Sequence, residues 1–570
     1  MKTDLILLHP PSVYDFREML IVPRPIADLV PSGPYFEMYP IGFAFLGEYL
    51  ERHGFRVRVV NLAARMLAEP RFDVRRYLAR LRPAAFGIDL HWLPHCQGAL
   101  EVAGLCKETH PVTPVIMGGY SASIFHRELM DYPQVDYVVR GDSTEEPLLG
   151  LVRAIAAGRA PEDIPNLTFR DASGAVVENP LDYVPGSLDH LGDPYRFMMR
   201  SAARHLDVRG VRAFRGWWSY PTTAVLTVRG CVRDCAFCGG SASTMESCLN
   251  RKAPAYRSPE AIAADVRSIS RFTGAPIFII GDLRENVEGY AADVLDRLGR
   301  VRPSNHVVLE LFGPAGARYF DMVAAALSEW DLEISPQSHD EGIRRALGIG
   351  YTNAELEETI ECALAAGCGR LDVFFMIGLE GQTPESVDAT VEYCGQLMQR
   401  FGRRLNPLIG PLAPFIDPGC LDEVEADRRG YRILLHSLED YRRALLEPHW
   451  RDMLGYETRW MTREQIVKAT YRALFGLNRL KGRLGHLDRD YMLAYERLLL
   501  KSQDLLERVD ALAAMEPGLV RDTEFAMCRA EAGRLLEEGA LVKEQISWPV
   551  TGRGVRPLGV LRSLLGGGRR

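Results

Sequence analysis

Three cysteines on one short loop carry the strongest chemical signal in this sequence. Cys231, Cys235 and Cys238 are spaced C-x3-C-x2-C, directly after an apolar run at 224–228 and a turn at Arg229 and Gly230. Three thiolates on one loop can hold three corners of a 4Fe–4S cluster. The fourth iron is then open to an external ligand, which a cluster needs if it is to bind and cleave a substrate-like cofactor. A zinc ion is the competing use, with Cys248 as a fourth ligand. Zinc ribbons prefer paired C-x2-C knuckles, and no second knuckle follows. The blandest use is three unrelated buried thiols. Cys96, Cys106, Cys362, Cys368, Cys394, Cys420 and Cys528 are scattered through apolar or helical contexts and read as small buried hydrophobes. Eleven cysteines with one tight cluster do not form a secreted disulfide framework.

The chain around this loop has 570 residues, which at roughly 150 residues per domain suggests about three or four domains. Apolar residues make up 47% and charged residues 25%, enough for several cores and unlike a disordered chain. The net charge of −7 gives no basic excess for nucleic acid. No apolar run reaches the ~18 residues of a membrane span. The first residues read as a buried strand rather than a signal peptide, so a cytoplasmic location is expected.

Residues 1–195 alternate short apolar runs with helical patterns, the signature of βαβ units and a doubly wound parallel sheet. The last part of this region, rich in proline from about 150 to 220, reads as a linker with a few short strands. Residues 196–415 hold six strand candidates, at 224–228, 277–280, 307–311, 332–335, 371–377 and 405–409. Six units suit a partial (β/α)6 barrel rather than a full eight. Residues 416–570 read as a helical domain in which strand signals stop after about 420, with helices expected at 431–446, 463–480 and 488–514. The tail at 551–570 has five arginines, no acid and interleaved leucines, so it reads as a frayed solvated end or an amphipathic segment able to touch a membrane surface.

The cysteine spacing, with Phe237 just before the third cysteine, resembles the radical S-adenosylmethionine (SAM) superfamily. The resemblance implies that Cys231, Cys235 and Cys238 bind a 4Fe–4S cluster whose open iron chelates SAM, with Phe237 beside the adenine. One electron from the cluster would cleave SAM to a 5′-deoxyadenosyl radical. Residues 334–341 resemble the fourth-strand motif of that family, which assigns a SAM contact to Ser338. Residues 374–383 resemble the fifth-strand segment flanking the adenine, which assigns Ile377 and Gly378. Gly281 and Asp282 fall where the family often has a Gly-Gly-Glu motif for the SAM amino group, although that motif is not intact here.

The N-terminal region resembles the cobalamin-binding domains fused to radical SAM domains, through Pro40 to Gly42, His53 to Val57, Met117 to Tyr120 and Val139 to Asp142. That implies cobalamin contacts at Gly118, Gly119 and Gly141. Many cobalamin domains carry Asp-x-His-x-x-Gly after the first strand, where the histidine binds cobalt. Here His9, Pro10 and Pro11 stand there instead. Asp89 and His91 do occur, after the third strand, with Pro94 in place of the glycine. The expectation is therefore cobalamin without that ligand, with His91 bordering the lower face of the corrin or serving as a satisfied loop histidine.

Together these resemblances imply a cobalamin-dependent radical SAM enzyme that methylates an unactivated carbon through the 5′-deoxyadenosyl radical and methylcobalamin. A cyclase, ring-contraction or oxidative enzyme using cobalamin without methyl transfer is the alternative, and a non-catalytic cobalamin or iron–sulfur sensor is the alternative from another class. The implied partners are a small-molecule, lipid or peptide substrate and an electron donor such as flavodoxin or ferredoxin.

Overall fold

The structure, a computed structural model, describes residues 3–22, 40–209, 217–412, 415–538, 547–551, 555–557 and 559–560. Five strands, β1 (Thr3–His9), β2 (Val57–Asn61), β3 (Pro83–Asp89), β4 (Val115–Gly118) and β5 (Tyr137–Val139), run parallel. The strand order is β2-β1-β3-β4-β5, so the winding reverses between β1 and β3. Open sheets of this kind bind ligands at that reversal, beyond the carboxyl ends of the strands. β1 shows why the sheet is buried on both sides. Ile6 and Leu8 pack into a core with Leu100 and Ala103, while Leu5 and Leu7 face the opposite core with Phe43, Leu50 and Leu149. Side chains alternate across a strand, so a continuous apolar run feeds two helical layers.

The proline-rich segment joins this sheet. β6 (Leu167–Arg170) and β7 (Val176–Glu178) form an antiparallel hairpin that extends the edge beyond β5. The Asp171 carboxylate accepts the backbone N–H groups of Ser173 and Ala175 and so closes the turn between them.

The second sheet begins at β8 (Thr223–Leu226), followed by a short antiparallel ribbon of β9 (Val228–Arg229) and β10 (Ala255–Tyr256). It continues through β11 (Ile277–Ile280), β12 (Val307–Leu311), β13 (Trp330–Gln337), β14 (Leu371–Ile377) and β15 (Leu405–Pro411). All six strands are parallel and lie in sequence order, the expected partial barrel. One side of each strand, including Val225, Ile279, Leu309, Leu332 and Val373, packs outward against helices. Each such buried side chain contributes about 1.5–3 kcal/mol.

Strands do not stop after residue 420. β16 (Tyr431–Ile433) and β17 (Tyr456–Thr458) form an antiparallel hairpin, with β16 lying where the start of a helix was expected. The Tyr431 and Tyr456 rings meet across it at 5.8 Å, and such aromatic cross-strand pairing outweighs a weak helical pattern. The helix begins only at Leu438, behind a capping box of Ser437 and Asp440. Beyond it, helices Arg463–Arg483 and Arg489–Ala513 agree closely with expectation. The first of them packs along β15 and covers the open side of the barrel. Buried Lys481 reaches from it to Asn406 Oδ1 at 2.7 Å, and burial lowers its pKa to about 8.

The described part of the tail lies against the barrel. Trp548 stacks on Phe278 at 5.9 Å, and Arg370 donates to the Ser547 carbonyl at 2.8 Å. Residues 561–570, with most of the amphipathic pattern, lie outside the described residues. Among the described residues no helix is long and apolar enough to cross a membrane.

Candidate functional site

The carboxyl ends of both sheets meet at one seam, and the cysteine loop lies in it. Several contacts close the seam. The Tyr120 hydroxyl, just past β4, donates to the Pro418 carbonyl at 2.7 Å. Asp417 accepts the Gly239 backbone N–H, one residue past Cys238, at 2.9 Å. Arg229 of β9 pairs with Glu145 at 2.7 Å, and Arg251 pairs with Asp142 just past β5. Burial raises the Glu145 carboxyl, but Arg229 and His190 outweigh that and hold it at about 2. A buried carboxylate needs such partners to stay charged.

Within the loop, the Arg233 and Gly240 backbone N–H groups point at the sulfurs of Cys231 and Cys238, at 3.4 and 3.3 Å. Burial raises all three thiols, Cys238 to about 12. A thiol in that setting is a poor free nucleophile and is deprotonated by a metal instead. The three sulfurs do not converge as a mononuclear metal site. Among the described residues, the group of three or more His, Cys, Asp or Glu ligand atoms that all lie within 4.8 Å of one another is that of His9, Asp89 and His91. Tetrahedral zinc at about 2.3 Å from each sulfur would bring the sulfurs to ~3.8 Å. The wider spacing and the N–H donors fit a multi-iron cluster.

Around the mouth, each strand end places one expected residue. Phe237 is half-buried against the barrel core. Gly281 follows β11, and its N–H donates to Glu310 Oε2 at 2.8 Å. Asp282 is buried, and its carboxylate accepts N–H groups from Arg284 and from the Phe312 backbone. Ser338 follows β13 and is buried, with its hydroxyl accepting the Asp340 N–H at 3.1 Å. Just before it, Gln337 sits at φ 67°, after a register shift between Ile334 and Gln337, and its buried Oε1 makes no hydrogen bond among the described residues. A strained backbone and a bulge at a strand end commonly mark binding sites. Ile377 is buried at the end of β14, and Gly378 follows at φ +99°. A side chain at Gly378 would meet the Tyr456 hydroxyl at 2.2 Å, so glycine is what allows the C-terminal hairpin to close over this strand end.

Across the seam, the β1/β3 reversal holds a polar cluster. The Asp89 carboxylate takes His9 Nδ1 at 3.0 Å and His91 Nδ1 at 2.6 Å. Burial raises this carboxyl, but His9 and His91 outweigh it and hold it well below the usual carboxylate range. The His95 ring lies 5.0 Å from His9 and 4.9 Å from His91. His9 and Asp89 are buried, whereas the His91 side chain keeps 28% of its surface open. Histidines that bind metals commonly fix one ring nitrogen on a carboxylate in this way. Gly119 lets the next loop close on this one, because a Cβ there would lie 2.5 Å from the His91 backbone. Gly118 ends β4, and Gly141 donates its N–H to Ser123 Oγ at 2.9 Å.

Sequence reading gave Glu310 no site role, placed Tyr120 only within a cobalamin-type motif, and read the segments of Asp417 and Tyr456 as packing rather than pocket lining. Glu310 had a signal, a lone acid within the apolar run of β12. Asp417 and Tyr456 come from beyond the barrel strands, and no local pattern announces their contact with the mouth.

Comparison with known proteins agrees with this geometry. The B12 binding domain family matches residues 33–148, and the radical SAM superfamily matches residues 225–394. The hopanoid C-3 methylase of Methylococcus capsulatus is 24% identical over 345 residues, 56% of this chain and 61% of that protein. The chain thus spans about three fifths of that relative's length. The radical S-adenosylmethionine methyltransferase TsrM from Kitasatospora setae, solved with cobalamin and a [4Fe-4S] cluster bound, shares the fold. It gives a TM-score of 0.60 at 16% identity, covering 90% of this chain and all (100%) of TsrM. The cobalamin-dependent S-adenosylmethionine radical enzyme OxsB gives 0.57 at 12% identity, covering 99% and 84%. With a B12-binding domain ahead of a cysteine-bearing partial barrel, the chain carries the domain pair of cobalamin-binding radical SAM enzymes.

Proposed function

We propose that this chain is a cobalamin-dependent radical SAM methyltransferase that methylates an unactivated carbon of a small molecule held in the seam. The observation that carries the reading is the docking of the cysteine loop onto the strand ends of the B12-binding domain, through Tyr120, Asp417 and Gly239. When bound, the cluster supplies an electron to SAM and the cobalamin carries the methyl group.

The protein's own residues position and enclose. Cys231, Cys235 and Cys238 hold the cluster. Phe237, Gly281, Ser338, Ile377 and Gly378 surround SAM at the strand ends, and Asp282 fixes the loop beneath it through Arg284. Gly118, Gly119 and Gly141 would let a cobalamin approach the backbone at these strand ends, and Asp89 orients the half-buried His91 ring beside them. Tyr456 and the C-terminal hairpin close the ends of β14 and β15, since the Tyr456 hydroxyl donates to the Leu412 carbonyl at 2.6 Å. Excluding water there protects a reactive intermediate.

Inside the mouth, Leu226, Ile280, Phe374 and Met376 keep part of their surface open, with Glu310 and Ser335 as polar exceptions. That lining supports a largely apolar substrate, in keeping with the relative named for a hopanoid. A small flavoprotein or ferredoxin would deliver the electron.

Anaerobic reconstitution with iron, sulfide and hydroxocobalamin tests the reading. The expected result is about four irons and one cobalamin per chain. With methyl-labelled SAM, a reductant and apolar extracts as substrate, deoxyadenosine and a labelled product are expected. Deoxyadenosine without label in any product would replace methyl transfer by another cobalamin-assisted reaction. Absence of the cluster would end the proposal.

A further inference from the structure

Two arginines flank the turn that leads into the cysteine loop, and both reach across to the B12-binding domain. Arg229 ends β9, two residues before Cys231. It donates to Glu145 Oε1 at 2.7 Å, to Glu145 Oε2 at 3.1 Å and to Ser143 Oγ at 3.0 Å. Arg251 lies beneath the same turn. Gly230 stands at φ +85°, and a Cβ there would lie 2.7 Å from Arg251 Cδ. The buried Arg251 guanidinium donates to both Asp142 carboxylate oxygens, to Ser143 Oγ at 3.3 Å and to the Pro185 carbonyl at 3.1 Å. The two arginines thus converge on one fully buried hydroxyl between the domains.

The acceptors follow β5 directly. Asp142 is the neighbour of Gly141, the glycine expected against the corrin, and Glu145 opens the helix Glu145–Ala157. On the barrel side, Arg251 packs under the residue just before the first cluster cysteine. The chemistry of this contact differs from ordinary domain packing. Burial of apolar surface is non-directional, so apolar faces tolerate sliding. A buried ion pair is favourable only in a narrow geometry, and its best-attested use is to fix register. Each arginine here places two nitrogens on one carboxylate, which sets orientation as well as distance.

Resting on the function proposed above, we propose that Arg229 and Arg251 are positioning residues that fix the separation between the cluster and the cobalamin, through Glu145 and Asp142. A substrate held in the seam must lie within reach of both groups at once. A misplacement of about 1 Å is enough to cost on the order of a hundredfold in rate, so the register of the two domains matters beyond their stability.

Pulsed EPR on the anaerobically reconstituted full chain tests this, by reading the dipolar coupling between the reduced cluster and cob(II)alamin. The wild-type chain should give one narrow distance distribution. Lysine keeps the charge of each arginine but loses its two-pronged contact. The double variant Arg229→Lys with Arg251→Lys should load iron and cobalamin as the wild type does. Its distance distribution should be shifted or broadened by about 1 Å or more. An unchanged distribution in that variant overturns the assignment. If the double variant loads no cluster, the two single lysine variants are read in its place. Loss of the cluster in both of those also overturns the assignment, since the arginines would then support only the folding of the loop. A wild-type chain that loads the cluster but no cobalamin overturns the proposed function, and this assignment with it.

Discussion

The β1/β3 crevice and the mouth of the barrel are both made of strand ends, yet they hold their polar groups in opposite ways. In the crevice, Asp89 already satisfies His9 and His91 within the protein, and the buried cluster is assembled before any ligand arrives. In the mouth, three thiols are raised by burial and stay too far apart for one ion, Gln337 Oε1 has no partner, and Glu310 has a single N–H. The first arrangement contributes to folding and orients a ring for later use. The second is completed only by what it binds. A buried polar group costs about 1–3 kcal/mol when unpartnered, so the mouth gives up stability that its ligands restore.

The comparison breaks most sharply at the cysteines. Replacing any one of Cys231, Cys235 and Cys238 by alanine should abolish cluster assembly and reduce turnover to background, while the thermal stability of the cofactor-free chain changes little. Iron analysis and melting curves check both halves. Asp89→Ala should behave the other way. It removes the shared partner of two histidines and should cost about 3 kcal/mol of folding stability, the scale of a broken buried pair, measured by urea unfolding. The Asp89 carboxyl is held below its unfolded value, so this contribution is present above the ordinary carboxylate range near pH ~4 and is lost as pH falls through and below it. The wild-type chain should therefore lose more stability than Asp89→Ala on acidification.

Glu310 sharpens the contrast at neutral pH. Burial and the charge of Asp282 raise its carboxyl to about 7, so it takes up a proton below that pH, where Asp89 of the crevice stays ionised. A carboxyl raised on folding costs stability above its unfolded value, so the wild-type chain should gain stability relative to Glu310→Gln as the pH falls from about 7 toward ~4, checked by urea unfolding. The groups around it, Asp282 with its partner Arg284 and Glu333 on β13, are retained in that variant, so they serve as its internal control. The smallest effect is expected far from either site. Arg300, paired with Asp296 on an exposed helix face, should change stability by less than about 0.5 kcal/mol when replaced by alanine.

Much of this architecture was legible because it depends on local patterns. The apolar runs of β1 and β14 are short and bounded by turns, and the C-x3-C-x2-C spacing places three thiols on one loop wherever that loop goes. The hairpin of β16 and β17 was not legible, since 22 residues lie between its two strands and each is three residues long. Short strands carry little periodicity, and only the pairing of Tyr431 with Thr458 and of Ile433 with Tyr456 makes them strands. The motif-based assignment of Asp282 shows a different limit. Asp282 does follow β11 at the mouth, but its carboxylate is taken up by Arg284 and Phe312, which spacing alone does not reveal.

The sequence by itself determined the two parallel sheets, their order along the chain and the cluster-binding loop, because hydrophobic period and cysteine spacing act over a few residues. Only the tertiary structure decided which polar groups are spent and which are open. That choice joins His9 to Asp89 across 80 residues and Tyr120 to Pro418 across 298, and a hydrogen bond or an ion pair is fixed by distance in space rather than along the chain.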